Sequence, residues 1–293
     1  MINVTKLDDY TPEQIDKLMA ESNIRLARLG YLKEYNGPDR VVTSVELYDE
    51  LQKEPEHPRI DSTWKGLQAV VNGWEPGELV VVSGATGEGK TTVLQSLSVD
   101  MVNQGVMPVW FSFEVNMKTF LSRFSQSREG IPIFALPREN ADMVTFQWIV
   151  EKIEEAQVKH NAQVVCIDHL HYLLEMKDFQ NSNSSLMIGA AMRELKKLAI
   201  RLNVVIFLIA HTTKIEEGER PKLSDLRDSS FIAQEADQVY MIHSERMKND
   251  PDVKTGKSML YIKKNRREGE TGMIMLTFDG GLLKPYAKPT ISQ

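Results

Sequence analysis

Three features of the sequence predict an α/β fold with a mostly parallel sheet and a short helical extension at its amino terminus. From Ile60 onward, apolar β-branched runs of strand length alternate with segments of helical spacing. The first run ends in a glycine-rich stretch, Ser83-Gly84-Ala85-Thr86-Gly87-Glu88-Gly89-Lys90-Thr91-Thr92, which leads into a helix. Residues 1–59 carry helical patterns but too little apolar sequence for a substantial core of their own.

In chain order, Thr11 to Leu32 reads as a helix, with Thr11 as N-cap, Pro12 at the first position and Gln14 completing a capping box. Ser44 to Lys53 reads as a second, shorter helix, and Pro55, His57 and Pro58 mark a linker. Beyond it, strands are expected at Leu79–Ser83, Pro108–Phe113, Val164–Asp168, Val204–Ala210, Gln238–His243, Ser258–Asn265 and Gly272–Phe278. Helices are expected near 91–104, 117–129, 143–159 and 186–202, each crossing over between parallel strands. The last two strands, joined by the turn Arg267–Gly272, read as antiparallel. The polar tract Gln180–Ser185 reads as a loop.

The glycine-rich stretch satisfies G-x-x-x-x-G-K-S/T through Gly84, Gly89, Lys90 and Thr91, in the strand-to-helix context which that pattern requires. Its glycines let the backbone approach phosphate oxygens, and successive N–H groups at a helix N-terminus favour an anion. Lys90 is expected to bridge the β- and γ-phosphates of ATP or another nucleoside triphosphate, and Thr91 to ligate Mg²⁺. Ligands of open α/β sheets lie beyond the carboxyl ends of the strands. Asp168, which ends an apolar run, is therefore a second Mg²⁺ candidate. Glu114, after the run 109–113, is a candidate general base for an attacking water. His211 ends the run 204–210 and is a candidate γ-phosphate sensor. Lys263, Lys264, Arg266 and Arg267 cluster at the end of a late strand, where one could serve as an arginine finger supplied to another subunit.

At 293 residues and 42% hydrophobic, the chain fits one large domain or two small ones. No run of 18 apolar residues and no secretory leader is evident, and the lone Cys166 excludes an internal disulfide framework. A cytoplasmic protein without membrane contact is expected. The net charge of -6 argues against indiscriminate nucleic-acid binding but leaves room for local positive charge.

Together these residues resemble the RecA-like ATPase domain of DnaB-family replicative helicases, including those of phage primase-helicases and Twinkle, over about 60–285. The resemblance is carried by Trp74-Glu75-Pro76-Gly77-Glu78-Leu79, Ser112-Phe113-Glu114, Ser224–Ser230 with Gln234-Glu235-Ala236-Asp237, and Lys264-Asn265-Arg266 with Gly269 and Thr271-Gly272. It implies a helical extension at 1–59 and an ATPase domain at 60–293. It also implies ATP hydrolysis with Mg²⁺, translocation on single-stranded DNA, a homo-oligomeric ring with six subunits as the leading count, and a primase or loader as a further partner. Arg266 is then the trans arginine finger, Lys264 its companion and His211 the sensor. Arg227, Asp228 and Ser230 match a loop that follows the DNA backbone, with Lys214 and Lys222 as added phosphate contacts. Ser230 stands where relatives usually have glycine. The alternatives are a filament-forming recombinase of the wider RecA class and a regulatory ATPase that does not unwind.

Overall fold

The computed structural model describes residues 11–37, 40–53, 59–113, 117–122, 132–135, 145–174, 184–212, 221–226, 229–247 and 249–286. The chain divides into two units, Met1–Glu56 and His57–Gln293.

The first unit contains α1 (Pro12–Glu34) and α2 (Ser44–Leu51). Both begin with reciprocal capping boxes, Thr11 with Gln14 and Thr43 with Glu46, which satisfy orphan N–H groups of the first turn. Neither helix buries a residue, and Leu18, Ile24, Leu29, Leu32, Leu47 and Leu51 are exposed.

The second unit is organised by one nine-stranded sheet. Its strands are β1 (Leu79–Gly84), β2 (Met107–Ser112), β3 (Ile133–Phe134), β4 (Ala162–Asp168), β5 (Val205–His211), β6 (Gln238–Met247), β7 (Asp250–Asn265), β8 (Gly272–Asp279) and β9 (Leu282–Pro285). They lie in the order β3-β2-β4-β5-β1-β6-β7-β8-β9. Pairing is parallel from β3 to β6 and antiparallel from β6 to β9. Its helices are α3 (Lys65–Val71), α4 (Lys90–Asn103), α5 (Met117–Ser122), α6 (Phe146–His160), α7 (Leu170–Leu174), α8 (Ser184–Leu202) and α9 (Ser229–Glu235).

The central strands read as continuous apolar runs because both faces of the sheet are covered. Alternate residues divide between two cores. Leu79, Val81, Phe111, Ile167, Ile206 and Leu208 pack with residues of α6 and α8. Val80, Val82, Trp110, Cys166, Phe207 and Ile209 pack with Leu67 of α3 and Leu94 and Leu97 of α4. Burial pushes the Cys166 thiol well above its ordinary range, which keeps it protonated.

The expected strands are all present, with three differences. Strands β6 and β7 run further than expected and form a long hairpin. Beyond His243 this hairpin carries charged residues, so apolar content does not mark its length. Strands β3 and β9, of two and four residues, were not foreseen, nor were α3, α7 and α9. These elements are short, and short elements give weak periodicity. The helix expected near 117–129 is described over Met117–Ser122.

Candidate nucleotide site

Strand β1 delivers the chain into the phosphate loop, and α4 begins at Lys90 with Gly89 as its N-cap. Gly89 has φ 102°, a left-handed conformation that favours glycine. At Gly84 the reason is a close approach, since a Cβ there would lie 2.6 Å from the Ile242 carbonyl oxygen. No side chain caps α4, so its first N–H groups and the positive end of its dipole face the loop. Ala85, Thr86 and Gly87 form the tip, and Thr86 and Gly87 are exposed there. The Lys90 ammonium donates to the carbonyls of Gly84 at 2.9 Å and Ala85 at 3.0 Å, which holds it within the loop. Thr92 follows Thr91 on the first turn of α4.

Thr91 and Asp168 meet directly, with the Thr91 hydroxyl donating to Asp168 Oδ2 at 2.9 Å. Hard oxygen donors at this spacing suit Mg²⁺, which takes few protein oxygens and keeps waters for the rest. The donor set therefore fits the ion the loop pattern implies. Strand β2 ends beside this pair: Ser112 is in register with Asp168, and the Phe113 N–H donates to the Asp168 carbonyl at 3.1 Å. Glu114 is the next residue in the chain and lies outside the described residues.

One buried side chain here is anomalous. Gln95 is fully buried on α4, and among the described residues neither its amide nitrogen nor its amide oxygen has a hydrogen-bond partner. It lies between Thr91, one turn earlier, and Ser98, which accepts from Trp110 at 2.9 Å. Burying an unpaired amide costs about 1–3 kcal/mol. Gln95→Leu is accordingly expected to stabilise the protein by about 1 kcal/mol, raising the melting temperature by roughly 2–4 °C. A calorimetric scan showing a lower melting temperature would mean that the amide is satisfied.

His211 ends β5 directly opposite Gly84 in the parallel register, and its ring lies 4.4 Å from that of His169, the residue after Asp168. The next residue, Thr212, bridges to Leu226. Leu226 therefore lies at this same end of the sheet. Lys222 is exposed, and its N–H donates to Asp225 at 2.6 Å. Ser230 falls in the first turn of α9. Lys214, Arg227 and Asp228 lie outside the described residues.

The four late cations are not equivalent. Arg267 is drawn back onto its own chain, donating to the carbonyls of Val71 and Gly73 at 2.8 and 2.7 Å and pairing with Glu75 and Glu78. It acts there as a C-terminal cap for α3. Burial raises the Glu78 carboxyl above its ordinary range, and the Arg267 charge works against that shift. Lys263 lies 4.7 Å over the Tyr261 ring. Lys264 donates to the carbonyls of Ala233 and Ala236 at 2.5 and 2.6 Å. Burial, reinforced by the Arg266 charge, lowers the pKa of its ammonium. Arg266 pairs with Asp237 at 3.3 Å and keeps a side chain that is 51% exposed.

Asp237 fixes where this last pair lies. Its carboxylate accepts from the Leu79 N–H at 2.8 Å and from Lys196 at 2.6 Å, at the start of β1. The phosphate loop begins at the other end of that six-residue strand, about 17 Å away at the usual rise per residue. Arg266 and Lys264 thus sit on the opposite edge of the sheet from the phosphate loop of their own chain.

The family model for the DnaB-like helicase C-terminal domain matches residues 138–285, half of the chain. The chain belongs to this family. It is 27% identical over 286 residues to the replicative DNA helicase DnaB of Mycoplasma pneumoniae, covering 79% of this chain and 60% of that one. It is 24% identical over 283 residues to the DnaB of Haemophilus influenzae, covering 83% of this chain and 60% of that one. The chain thus spans about three-fifths of the length of these curated relatives. Among solved structures it resembles another protein's ATPase domain, with a TM-score of 0.64 at 20% identity, covering 83% of this chain and 97% of that one. It also resembles a DnaB-like replicative helicase described with its interactions with primase, with a TM-score of 0.66 at 19% identity, covering 92% and 73%.

The DnaB-like fold closes one further feature onto the loop. A cavity of about 390 Å³ adjoins Gly87, Gly89 and Thr92 and is walled by Lys257, Phe278 and Leu283. Sequence reasoning missed these walls: Leu283, whose N–H donates to Ser96 of α4 at 2.8 Å, lies on the unforeseen β9, and Phe278 of β8 is in register with it. The signal was present as an exposed phenylalanine beside a Gly-Gly turn, Phe278-Asp279-Gly280-Gly281. No helix among the described residues is long and apolar enough to cross a membrane.

Proposed function

We propose that the chain is the motor portion of a ring-forming DNA helicase that hydrolyses ATP, with Mg²⁺, at subunit interfaces and moves along single-stranded DNA. The separation of Arg266 and Lys264 from the phosphate loop of their own chain carries this reading, because a finger so placed can serve only another subunit's site. Lys90 and the N-terminal N–H groups of α4 bind the phosphates. The adjoining cavity takes the nucleoside, with Phe278 against the base. Thr91 and Asp168 hold Mg²⁺, which when bound neutralises charge on the phosphate oxygens. Glu114 orients and deprotonates the attacking water, and Arg266 with Lys264 stabilises the charge that develops on the neighbour's phosphate. His211 detects the γ-phosphate and passes its state into the adjoining 213–225 segment. That segment, with Arg227, Asp228 and Ser230, contacts the DNA backbone, and Lys214 and Lys222 add phosphate contacts. The exposed apolar residues of α1 dock on the next subunit, and six subunits close the ring. A primase or loader is a further partner, in keeping with the primase interactions described for a structural relative.

Forked-duplex unwinding with ATP, read beside particle shape in micrographs, tests the proposal. Strand separation by ring-shaped particles is expected. Filaments with strand exchange would support a recombinase instead, and hydrolysis indifferent to DNA would support a regulatory ATPase.

A further inference from the structure

The phosphate loop carries a carboxylate in a segment built to receive anions. Glu88 lies between Gly87 and Gly89 and is only 2% exposed. Its side chain is held by β6: Arg246 donates to Oε1 at 2.8 Å, the Ser244 N–H donates to Oε2, and the Nδ1 of His243 lies 3.5 Å from Oε2. The Ser244 hydroxyl donates to the Glu88 carbonyl at 2.9 Å. From β7, the Lys254 ammonium donates to the Gly87 carbonyl. Two consecutive residues of the loop are thus fastened to the β6–β7 hairpin.

We propose that Glu88 and Arg246 form a clamp that fixes the phosphate loop on the hairpin, and that Arg246 is a positioning residue for nucleotide binding. Two physical effects converge on Arg246. A carboxylate this buried requires a countercharge, and Arg246, with a side chain 33% exposed, supplies a guanidinium to it. Without the Arg246 guanidinium, Glu88 keeps the Ser244 N–H and the His243 ring beside Oε2 but loses the countercharge on Oε1. Its charge then stands undercompensated in the loop that must accept a triphosphate, and it either repels the ligand or pulls the loop toward water. The fastening also joins the loop to the β7 residues that wall the cavity, Lys257 and Ser258, so both ends of the nucleotide site move as one body.

The clamp predicts an asymmetric double-mutant cycle. Replacing a buried ion pair by apolar residues of similar volume is often neutral, whereas removing one partner strands the other. Arg246→Met is expected to weaken binding of a fluorescent ATP analogue roughly 30-fold, raising KM while kcat at saturation stays within about threefold. Adding Glu88→Met to that variant is expected to restore affinity to within about threefold of the parent. A purely structural role for the pair would lower the melting temperature without this split between KM and kcat. An Arg246→Met protein that binds the analogue as the parent does overturns the clamp, as does a double variant that binds no better than Arg246→Met. If Arg246→Met does not fold, the double variant must both fold and bind, and its failure overturns the clamp equally. The inference rests on the loop's binding a triphosphate, which Lys90→Ala tests separately: analogue binding unaffected by Lys90→Ala would sink that reading instead.

Discussion

Lys90→Ala protein is expected to lose nucleotide turnover while keeping its fold. Lys90 is 7% exposed, and its ammonium is held within the loop by the carbonyls of Gly84 and Ala85. It sits at the N-terminus of α4, so its charge adds to that of the helix dipole where, on the proposed reading, a triphosphate's negative charge would gather. Removing one preorganised electrostatic group from such a site costs roughly 100- to 1,000-fold in rate, and here weaker binding adds to that loss. The hydrogen bonds to the Gly84 and Ala85 carbonyls are lost, at about 1 kcal/mol each, so the melting temperature should fall by a few degrees. Phosphate release and analogue titration check the first part, and a thermal melt the second. Turnover near the parent's rate would remove the loop from the mechanism.

Arg266→Ala separates binding from chemistry. An arginine finger contributes roughly 10³–10⁵ to the rate of phosphoryl transfer while contributing little to ground-state binding. The variant is therefore expected to bind the nucleotide as the parent does and to hydrolyse it at least a thousandfold more slowly. Mixing gives the decisive form of the test. Lys90→Ala chains retain a finger and lack a working loop, and Arg266→Ala chains retain the loop and lack a finger. Each preparation alone should be inactive, and a mixture should recover hydrolysis at the interfaces where an intact loop faces an intact finger. No recovery, from chains that demonstrably co-assemble, would refute a finger supplied in trans.

Much of the fold was legible in the sequence, for identifiable reasons. The central strands are buried on both faces, so runs such as Val80–Val82 and Val164–Ile167 announce themselves, and the polar residues that end them supply the candidates for the site. Thr91 and Asp168 were expected to share an ion, and their hydrogen bond brings them together. The late cations were harder, since composition gives Lys263, Lys264, Arg266 and Arg267 the same weight. Only tertiary contacts distinguish Arg267, bound to the end of α3, from Arg266, whose partner is Asp237. Glu88 illustrates the same limit. It was read as one more loop residue because its side-chain partners, Ser244 and Arg246, lie more than 150 positions away.

Asp237 lies at one end of β1 and the phosphate loop at the other. On the proposed reading the two catalytic halves stand at opposite ends of one strand, so a solitary chain would own the parts of two engines and the whole of none. Assembly would then act as the ignition. Copies outside a closed ring would leave the nucleotide pool untouched, and fuel would be burned only where a track is threaded through the middle.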